Sequence, residues 1–243
     1  MNMNWRVLFI AVMATVAASV DTPAAAQEQA LPLTLDALVA RTDSVIIRMN
    51  GNAVGWQRFT TVRKDHGFLL TEETVTPAGG QQTEIDLDDR GNVVHVRQEG
   101  RGSSAGVFTH ITYSDRKVHG RHGVLKPGSS TIDTVTIDHA VPVGVVDDNS
   151  LQQLMSALPW SADASWTFPY YSSGKQSVAS RTLRVTGSEI VTVPAGTFDT
   201  WRAEMDAGDN SIVTFNVSRS EPHRVVQVRL SGAPFDFALA NWR

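Results

Sequence analysis

The sequence contains no cysteine among its 243 residues. Disulfide bonds, thiolate metal sites and a cysteine nucleophile are therefore excluded. An excess of one charge is also lacking, because 25 Asp and Glu stand against 21 Lys and Arg and the net charge is -4. Such a chain has no electrostatic reason to bind nucleic acid or an anionic membrane surface. An ordinary apolar core must hold the fold together, and 42% hydrophobic residues can supply one.

Long apolar runs are absent after the N-terminus, where a single run covers residues 7–20. Arg6 precedes this run, and the small residues Ala24 and Ala26 follow it just before Gln27. The pattern is typical of a secretory signal peptide over residues 1–26. A membrane anchor is the alternative, but the run is shorter than the ~20 residues that span a bilayer. We therefore predict a periplasmic or secreted protein, with no transmembrane segment after cleavage and a single β domain over residues 27–243.

Alternation of apolar and polar residues with period two dominates the chain from Asp43 onward. Trp201, Ala203 and Met205, for example, share one face of a strand, while polar residues occupy the other face. One dry and one wet face are typical of antiparallel sheets, and the absence of regular βαβ alternation argues against Rossmann and TIM architectures. We predict a mainly β fold, a curved antiparallel meander or open half barrel with one short helix. The predicted strands are 54–62, 66–75, 83–88, 93–99, 107–113, 117–124, 131–138, 165–171, 178–186, 188–193, 197–205, 211–218 and 223–230.

One helix is predicted near residues 149–158. Capping residues at 148–150 precede it, and Pro159 ends it. Its apolar residues recur at helical spacing: Leu151, Leu154, Met155 and Leu158. We favour a helix that covers the core at one end of the sheet over a helix that binds a partner. The preceding leader, residues 27–41, is either a short helix or an extended arm.

Ser104 lies in a G-x-S-x-G pattern, residues 102–106. A serine nucleophile in this motif requires a strand, a sharp turn and then a helix. Residues 107–113 alternate like a strand instead, which favours an ordinary hairpin loop around Ser104.

His119 and His122 have the H-x-x-H spacing of some metal sites. On a strand, residues three apart point to opposite faces, so both imidazoles reach one ion only if the segment turns. Zinc would also need a third ligand, such as His110 or Asp115. Two surface histidines near a hairpin are the favoured interpretation. The adjacent carboxylates at 72–73, 88–89 and 147–148 do not by themselves predict a facing pair of the kind that glycosidases use.

A family resemblance rests on residues 189–204, 213–217 and 222–230. The first of these contains Val-Pro-Ala-Gly-Thr-Phe at 193–198, and the last contains Pro-His-Arg-Val-Val-Gln-Val at 222–228. These stretches resemble the C-terminal half of an exported bacterial family known as domain of unknown function 3108. The resemblance implies a periplasmic, strongly curved antiparallel sheet, similar to half barrels that shuttle lipoproteins or lipids. It carries no catalytic residues.

Two function classes remain open from the sequence. The first is an envelope protein that binds an apolar or lipid-like molecule in the concavity of the sheet, or acts as a scaffold. Its predicted ligand-binding residues are Trp56, Trp201, Phe215, Val226 and Val228, which could equally close a dry core. The second is a hydrolase or metal-dependent enzyme that uses Ser104 or the His119 and His122 pair. No cofactor is predicted.

Overall fold

Fifteen strands and one short helix form the described part of the chain. The computed structural model describes residues 29–126, 129, 131–208 and 211–242; the predicted signal peptide lies outside these residues. The strands are β1 (Arg41–Met49), β2 (Asn52–Arg63), β3 (Phe68–Thr76), β4 (Gly79–Leu87), β5 (Val93–Arg101), β6 (Phe108–Ser114), β7 (Lys117–Leu125), β8 (Ile132–Ala140), β9 (Val146–Asp147), β10 (Ser165–Ser172), β11 (Ser177–Val193), β12 (Gly196–Gly208), β13 (Ser211–Ser218), β14 (Val225–Leu230) and β15 (Phe235–Trp242). Helix α1 (Leu151–Leu154) continues as a 3₁₀ turn, Met155–Ala157. Among the described residues, no helix has the length and apolar character needed to span a bilayer.

The fifteen strands belong to one open sheet that has its chain ends in the middle. Strands β1 to β8 follow one another in one half, and β15 back to β10 follow one another in the other. The first and last strands join the halves by antiparallel pairing, with Asp43 opposite Trp242. The edge strands are β8 and the two-residue β9, which pairs with β10; close to these edges, the Tyr171 hydroxyl of β10 lies 3.5 Å from His139 Nδ1 of β8. The edges approach without closing a barrel, so the predicted curved, open half barrel is confirmed.

Local backbone chemistry explains the tight hairpins. Asn50 and Gly51, between β1 and β2, have φ angles of 51° and 79°. Asp115 and Arg116, between β6 and β7, have φ angles of 50° and 60°. Two consecutive left-handed residues form the turn whose twist matches that of paired strands, and Asn, Asp and Gly tolerate this conformation best. The predicted strands 107–113 and 117–124 are therefore joined by a tight turn at 114–116.

Four elements differ from the sequence prediction. Strands β1, β9 and β15 were not among the predicted strands, although Phe235, Phe237 and Leu239 of β15 alternate in the expected way. The segments predicted as 178–186 and 188–193 form one continuous strand, β11, whose register shifts between Val185 and Gly187. A bulge of this kind bends a strand without ending it.

The helix and its flanks fill the concavity of the sheet. We call residues 146–160 the plug. Its apolar side chains are almost completely buried in the main core cluster: Leu151, Leu154, Met155, Ala157 and Leu158. Pro159 follows the last helical turn as expected. The helix therefore covers the core, as favoured from the sequence.

Residues 29–40 of the leader cross the plug as an extended arm with a single 3₁₀ turn at Leu35–Ala37. The backbone N–H of Thr34 donates to the carbonyl of Ala157 at 2.7 Å. Leu31 and Leu38 join the same core cluster as the plug. Of the two forms predicted for the leader, the structure shows the arm, which holds the plug from outside the sheet.

A second, smaller core lies where the end of the β11–β12 hairpin meets the middle of the sheet. Its buried members are Val45, Phe59, Val191, Val193, Val226, Ala238 and Leu239. The Ala195 N–H donates to the Leu239 carbonyl at 3.1 Å and ties the hairpin end down. Thr200 and Asn216, which the alternation placed on the wet face, are fully buried. The hairpin end therefore covers part of the face expected to be wet.

Candidate functional site

A row of polar residues crosses five neighbouring strands on the face that the plug covers. Glu72 is paired with Thr83, Thr83 with Gln98, Gln98 with Thr109, and Thr109 with His122. Directly paired residues project from the same face of a sheet. Two residues along each strand, the same face becomes apolar, with Leu70, Ile85, Val96 and Ile111. The concavity is therefore divided into an apolar floor and a polar row.

Glu72 anchors one end of the polar row. Its Oε1 accepts hydrogen bonds from Gln57 Nε2 at 2.9 Å and from Thr74 Oγ1 at 2.7 Å. Burial raises the pKa of this carboxyl, the two hydrogen bonds lower it, and the nearby charge of Asp148 raises it. At the other end of the row, Thr109 Oγ1 lies 2.8 Å from His122 Nδ1, and burial lowers the pKa of His122.

The plug begins with a fully buried carboxyl group, that of Asp147. The Tyr113 hydroxyl of β6 donates to its Oδ2 at 2.5 Å. The backbone and side-chain amides of Asn149 donate to its Oδ1 at 2.9 and 2.8 Å. Burial is the main cause that raises the pKa of Asp147 to about 8, and the charge of Asp148 adds to it. This carboxyl therefore favours its protonated form in the folded protein.

Asp148 connects the start of the plug to β10 and the residue after it. Ser172 donates its hydroxyl to Oδ2 at 3.0 Å, and Ser173 donates its hydroxyl to Oδ1 at 2.9 Å. Asn149 continues the connection, because its side-chain carbonyl accepts a hydrogen bond from Gln98 Nε2 at 2.9 Å. The polar row and the first residues of the plug thus form one hydrogen-bond network.

Tyrosines surround this network. Burial raises the pKa values of Tyr113, Tyr170 and Tyr171, and the charges of Asp147 and Asp148 raise them further. All three phenols therefore remain neutral hydrogen-bonding groups around the carboxyls.

The middle of the plug has few polar contacts with the sheet. Gln153 donates from Nε2 to the Thr60 carbonyl at 3.0 Å and to Thr61 Oγ1 at 3.4 Å. Its own carbonyl oxygen, Oε1, is buried without a hydrogen-bond partner among the described residues. A buried acceptor without a partner costs about 1–3 kcal/mol, so this unpaired oxygen destabilises the form of the protein in which the plug fills the concavity.

Two small cavities, each with a volume of about 40 Å³, occur in the described part of the molecule. One lies between the leader and the plug, beside Leu31 and Leu154, and the other lies at the β3–β4 turn, beside Gly79 and Ser104. Each has room for a few water molecules, far less than the 300–1,000 Å³ of typical ligand sites. With the plug seated, the protein's own side chains fill the concavity.

Three of the five predicted ligand-binding residues lie together. Phe215 belongs to the main core cluster, and Trp201 and Val228 pack against this cluster. Val226 belongs to the smaller core, and Trp56 to neither, with the Arg58 guanidinium 5.1 Å from its ring centroid.

A bulge explains the position of Val226. Val217 pairs with Val225, whereas Asn216 pairs with Gln227, so Val226 is an extra residue in the ladder. Such an extra residue interrupts the regular alternation of faces on which the sequence prediction depended.

The residues considered for catalysis are separated in the structure. Ser104 ends a 3₁₀ turn that is followed by strand β6, so the strand-to-helix turn of a serine nucleophile is not formed. His119 and His122 lie on the continuous strand β7, where their side chains point to opposite faces. His119 is exposed as expected, but the prediction of a surface position is wrong for His122, which is buried on the inward face. No cluster of three or more side chains able to ligate a metal occurs among the described residues.

A contrasting polar cluster lies away from the plug. Glu189 Oε1 accepts hydrogen bonds from Asn216 Nδ2 at 2.8 Å and from an Arg229 guanidinium nitrogen at 2.9 Å. The hydrogen bond from Asn216 is the main cause that lowers the pKa of Glu189, and the charge of Arg229 lowers it further. Asn216 projects opposite to its neighbours Phe215 and Val217, which belong to the main core.

The network around the plug was not predicted from the sequence. Glu72, Asp147 and Asp148 were considered as adjacent pairs and set aside, and Tyr113 and Gln98 were not considered. The available signal was a polar residue at an inward strand position, such as Thr83 two residues before Ile85 or Gln98 two residues after Val96. Recognising it required the strand pairing, which brings these single positions into one row.

A sequence model of the family described as protein of unknown function (DUF3108) matches residues 33–236. The chain belongs to the DUF3108 family. The match contains the whole plug and every strand from β1 to β14. No curated protein matches the chain in a sequence search.

Two solved structures are similar to this DUF3108 protein. A β-barrel-like protein of domain of unknown function DUF1849 from Brucella abortus has a TM-score of 0.53 at 11% identity, over 88% of this chain and 99% of that one. An exported protein with a YmcC-like fold (BF2203) from Bacteroides fragilis NCTC 9343 has a TM-score of 0.35 at 9% identity, over 84% of this chain and 95% of that one. The first similarity supports the β-barrel-like fold, and the second is too low to carry an argument.

Proposed function

We propose that this DUF3108 protein is an exported, non-enzymatic binding protein of the cell envelope, which takes an apolar or lipid-like molecule into the concavity of its sheet. The supporting observation is the way the concavity is filled. The plug is a short helical segment, and it covers an apolar floor that includes Phe68, Leu70 and Phe168. Removing it would expose a continuous apolar surface of the kind that binds acyl chains.

The plug and the ligand would compete for the same space. Cavities of about 40 Å³ are too small for an acyl chain, so binding requires that the plug leaves at least part of its seat. The apparent affinity then equals the intrinsic affinity reduced by the fraction of molecules with an open concavity. The ligand would contact the apolar floor and the predicted residues Trp201, Phe215 and Val228.

Loosening the plug tests this proposal. Leu154→Ala removes a side chain that is 1% exposed, whereas Val143→Ala, 71% exposed and close to the plug, serves as the matched control. Truncating a buried leucine costs about 2–5 kcal/mol, part of which favours the open form. In a titration with the fluorescent fatty acid cis-parinaric acid, we expect Leu154→Ala to bind at least threefold more tightly than wild type and Val143→Ala to bind like wild type.

Two outcomes of this titration contradict the binding proposal. The first is that neither wild type nor Leu154→Ala binds the fatty acid, although circular dichroism shows an intact sheet. The second is that Leu154→Ala binds the fatty acid more weakly than wild type does. A scaffold function would then be favoured, because the concavity is filled by the protein's own side chains. Native mass spectrometry of protein purified from the envelope gives an independent test, in which we expect a co-purified lipid.

Export is the second part of the proposal and depends on the pattern of residues 1–26. Cleavage after Ala26 would leave Gln27 as the first residue of the leader. N-terminal mass spectrometry of envelope protein should find Gln27. Retention of Met1 in the membrane pellet would contradict export by this route.

A further inference from the structure

Three carboxyl groups meet where the plug begins. Asp148 is close enough to Asp147 and Glu72 for its charge to act on both. The hydrogen-bond donors to these three groups are hydroxyls, side-chain amides and two backbone N–H groups, which are all neutral. Asn149 Nδ2 lies 2.8 Å from Asp147 Oδ1 and 2.9 Å from Asp148 Oδ1, so these two carboxyls are direct neighbours. The donors favour the charged form, but burial and the repulsion of like charges outweigh them and favour the neutral form of Asp147 and Glu72.

The surrounding elements add few opposing charges to this cluster. Tyrosines of β6 and β10 surround the three carboxyls. The Arg181 guanidinium lies over the Tyr170 ring, 5.8 Å from its centroid. The titratable and charged groups that face the cluster are Tyr113 of β6, Tyr170 and Tyr171 of β10, His139 of β8 behind Tyr171, His122 of β7 in the same polar row, and Arg181 of β11 beside Tyr170.

We propose that this carboxyl cluster is a proton-controlled latch, which keeps the plug seated while it holds protons and releases the plug when it loses them. The latch joins the plug to the sheet through two sides. Tyr113 binds Asp147 from one half of the sheet, and Ser172 binds Asp148 from the other half. Ionisation of Asp147 beside Asp148 therefore places repelling like charges at the point where both contacts meet, which makes the seated position of the plug less favourable.

The direction of the pH effect follows from the pKa values. That of Asp147 is raised from 3.8 to about 8 in the seated form, and that of Glu72 is raised as well. Groups with raised values contribute stability that is complete below the pKa of the free group and is lost as the pH rises through the raised value. The latch therefore holds at mildly acidic pH and opens toward pH 8.

Weak polar contacts in the rest of the plug favour opening of the plug alone over unfolding of the whole sheet. Gln153 Oε1 has no hydrogen-bond partner among the described residues, and β9 pairs with β10 over only two residue pairs. Segments with few backbone hydrogen bonds open at lower free energy than the strands beneath them. We therefore expect the plug to leave its seat while the sheet stays folded.

Amide hydrogen exchange of the ligand-free protein between pH 5 and pH 9 tests the latch. After correction for the intrinsic pH dependence of exchange, we expect protection of residues 151–158 to fall by up to tenfold per pH unit, the limit for loss of one proton. Protection of β12 should stay constant. Asp147→Asn should remove the pH dependence, whereas Asp163→Asn, which removes an exposed carboxyl after the plug, should retain it.

Glu72→Gln provides a second variant if Asp147→Asn does not fold, since an amide oxygen can still accept from Gln57 and Thr74. It should reduce the pH dependence without reducing protection at pH 5. The latch is wrong if protection of the plug does not change with pH, or if both variants keep the wild-type dependence. The inference rests on the proposed function for its biological use, but the exchange experiment contains no ligand. Its failure is therefore distinguishable from a failure to bind fatty acid.

Discussion

Glu72 and Glu189 both accept two side-chain hydrogen bonds, yet their pKa values shift in opposite directions. Glu72 faces the plug, accepts from an amide and a hydroxyl, and has Asp148 nearby, so its pKa is raised. Glu189 is half-exposed on the other face and accepts from an amide and a guanidinium, so its pKa is lowered. The number of hydrogen bonds is the same. Burial and the sign of the neighbouring charge decide the outcome.

The comparison shows where in the protein the ionisation of a carboxyl group is favourable and where it is unfavourable. Around Glu189, opposite charges and water access make ionisation favourable, and such clusters add a little stability at neutral pH. Around Glu72 and Asp147, ionisation is unfavourable, and the network is most stable when protons are bound. The contribution of the plug-bearing face to stability is therefore lost as the pH rises, whereas that of the Glu189 cluster is lost as the pH falls.

Removing the Tyr113 hydroxyl, which donates to Asp147, should cause the largest change in the free energy of unfolding. Tyr113→Phe leaves Oδ2 of the buried Asp147 without its hydroxyl donor, and an unsatisfied buried group costs about 1–3 kcal/mol. Urea unfolding at pH 6 measures the loss. Tyr170→Phe is the matched control, because the donors to Asp147 are Tyr113 and Asn149. Equal losses for the two variants would mean that the hydrogen bond to Asp147 contributes nothing.

Neutralising Glu72 should have a smaller effect on the free energy of unfolding, and the variant should be the more stable protein at high pH. Glu72→Gln keeps an acceptor for Gln57 and Thr74 but cannot ionise, so it should match wild type at pH 5. At pH 8 we expect it to be more stable by about 0.5–1 kcal/mol, within the usual range for a single substitution. Chemical denaturation at the two pH values measures this difference. A variant that loses stability at pH 8 would show that the carboxylate, and not the acid, is the stabilising form.

Neutralising Glu189 should have the smallest effect and the opposite pH dependence. Glu189 has a lowered pKa, so its contribution is present above the ordinary pKa of a glutamate and is lost as the pH falls through the lowered value. Glu189→Gln should cost about 0.2–1 kcal/mol at pH 7, discounted for exposure and salt screening. The cost should shrink at low pH and in high salt. A cost that is independent of salt would indicate that the hydrogen bond from Asn216, rather than the charge of Arg229, carries the effect.

Strand alternation allowed most of the fold to be predicted, because side chains alternate strictly where a strand is regular. Thr197 to Met205 and Ser211 to Ser218 fall inside observed strands for this reason. Val226 was placed with Phe215 and Val228 because a bulge is invisible to a period of two. The single helix was expected from its spacing, but its position inside the concavity depends on contacts between distant segments.

The carboxyl network could not be predicted from local sequence. Glu72 and Asp148 are separated by most of the first half of the sheet along the chain, and they meet only because the plug returns across it. Adjacent acidic residues on a strand point apart, so Glu72 and Glu73 were correctly not read as a facing pair. What brings Glu72 near Asp148 is the path of residues 141–150, for which alternation gives no signal.

The pairing of β1 with β15 sets the order in which this sheet can be completed. Each half can form from hairpins between neighbouring strands, with short loops to close. The central ladder joins residues about 200 positions apart, Asp43 and Trp242 among them, and closing so long a loop must follow the local steps. A chain emerging from synthesis or from a translocation channel therefore has its two half-sheets unjoined until the last eight-residue strand arrives. Up to that moment the edge of β1 is an unpaired template, and chaperones or neighbouring chains compete with β15 for it.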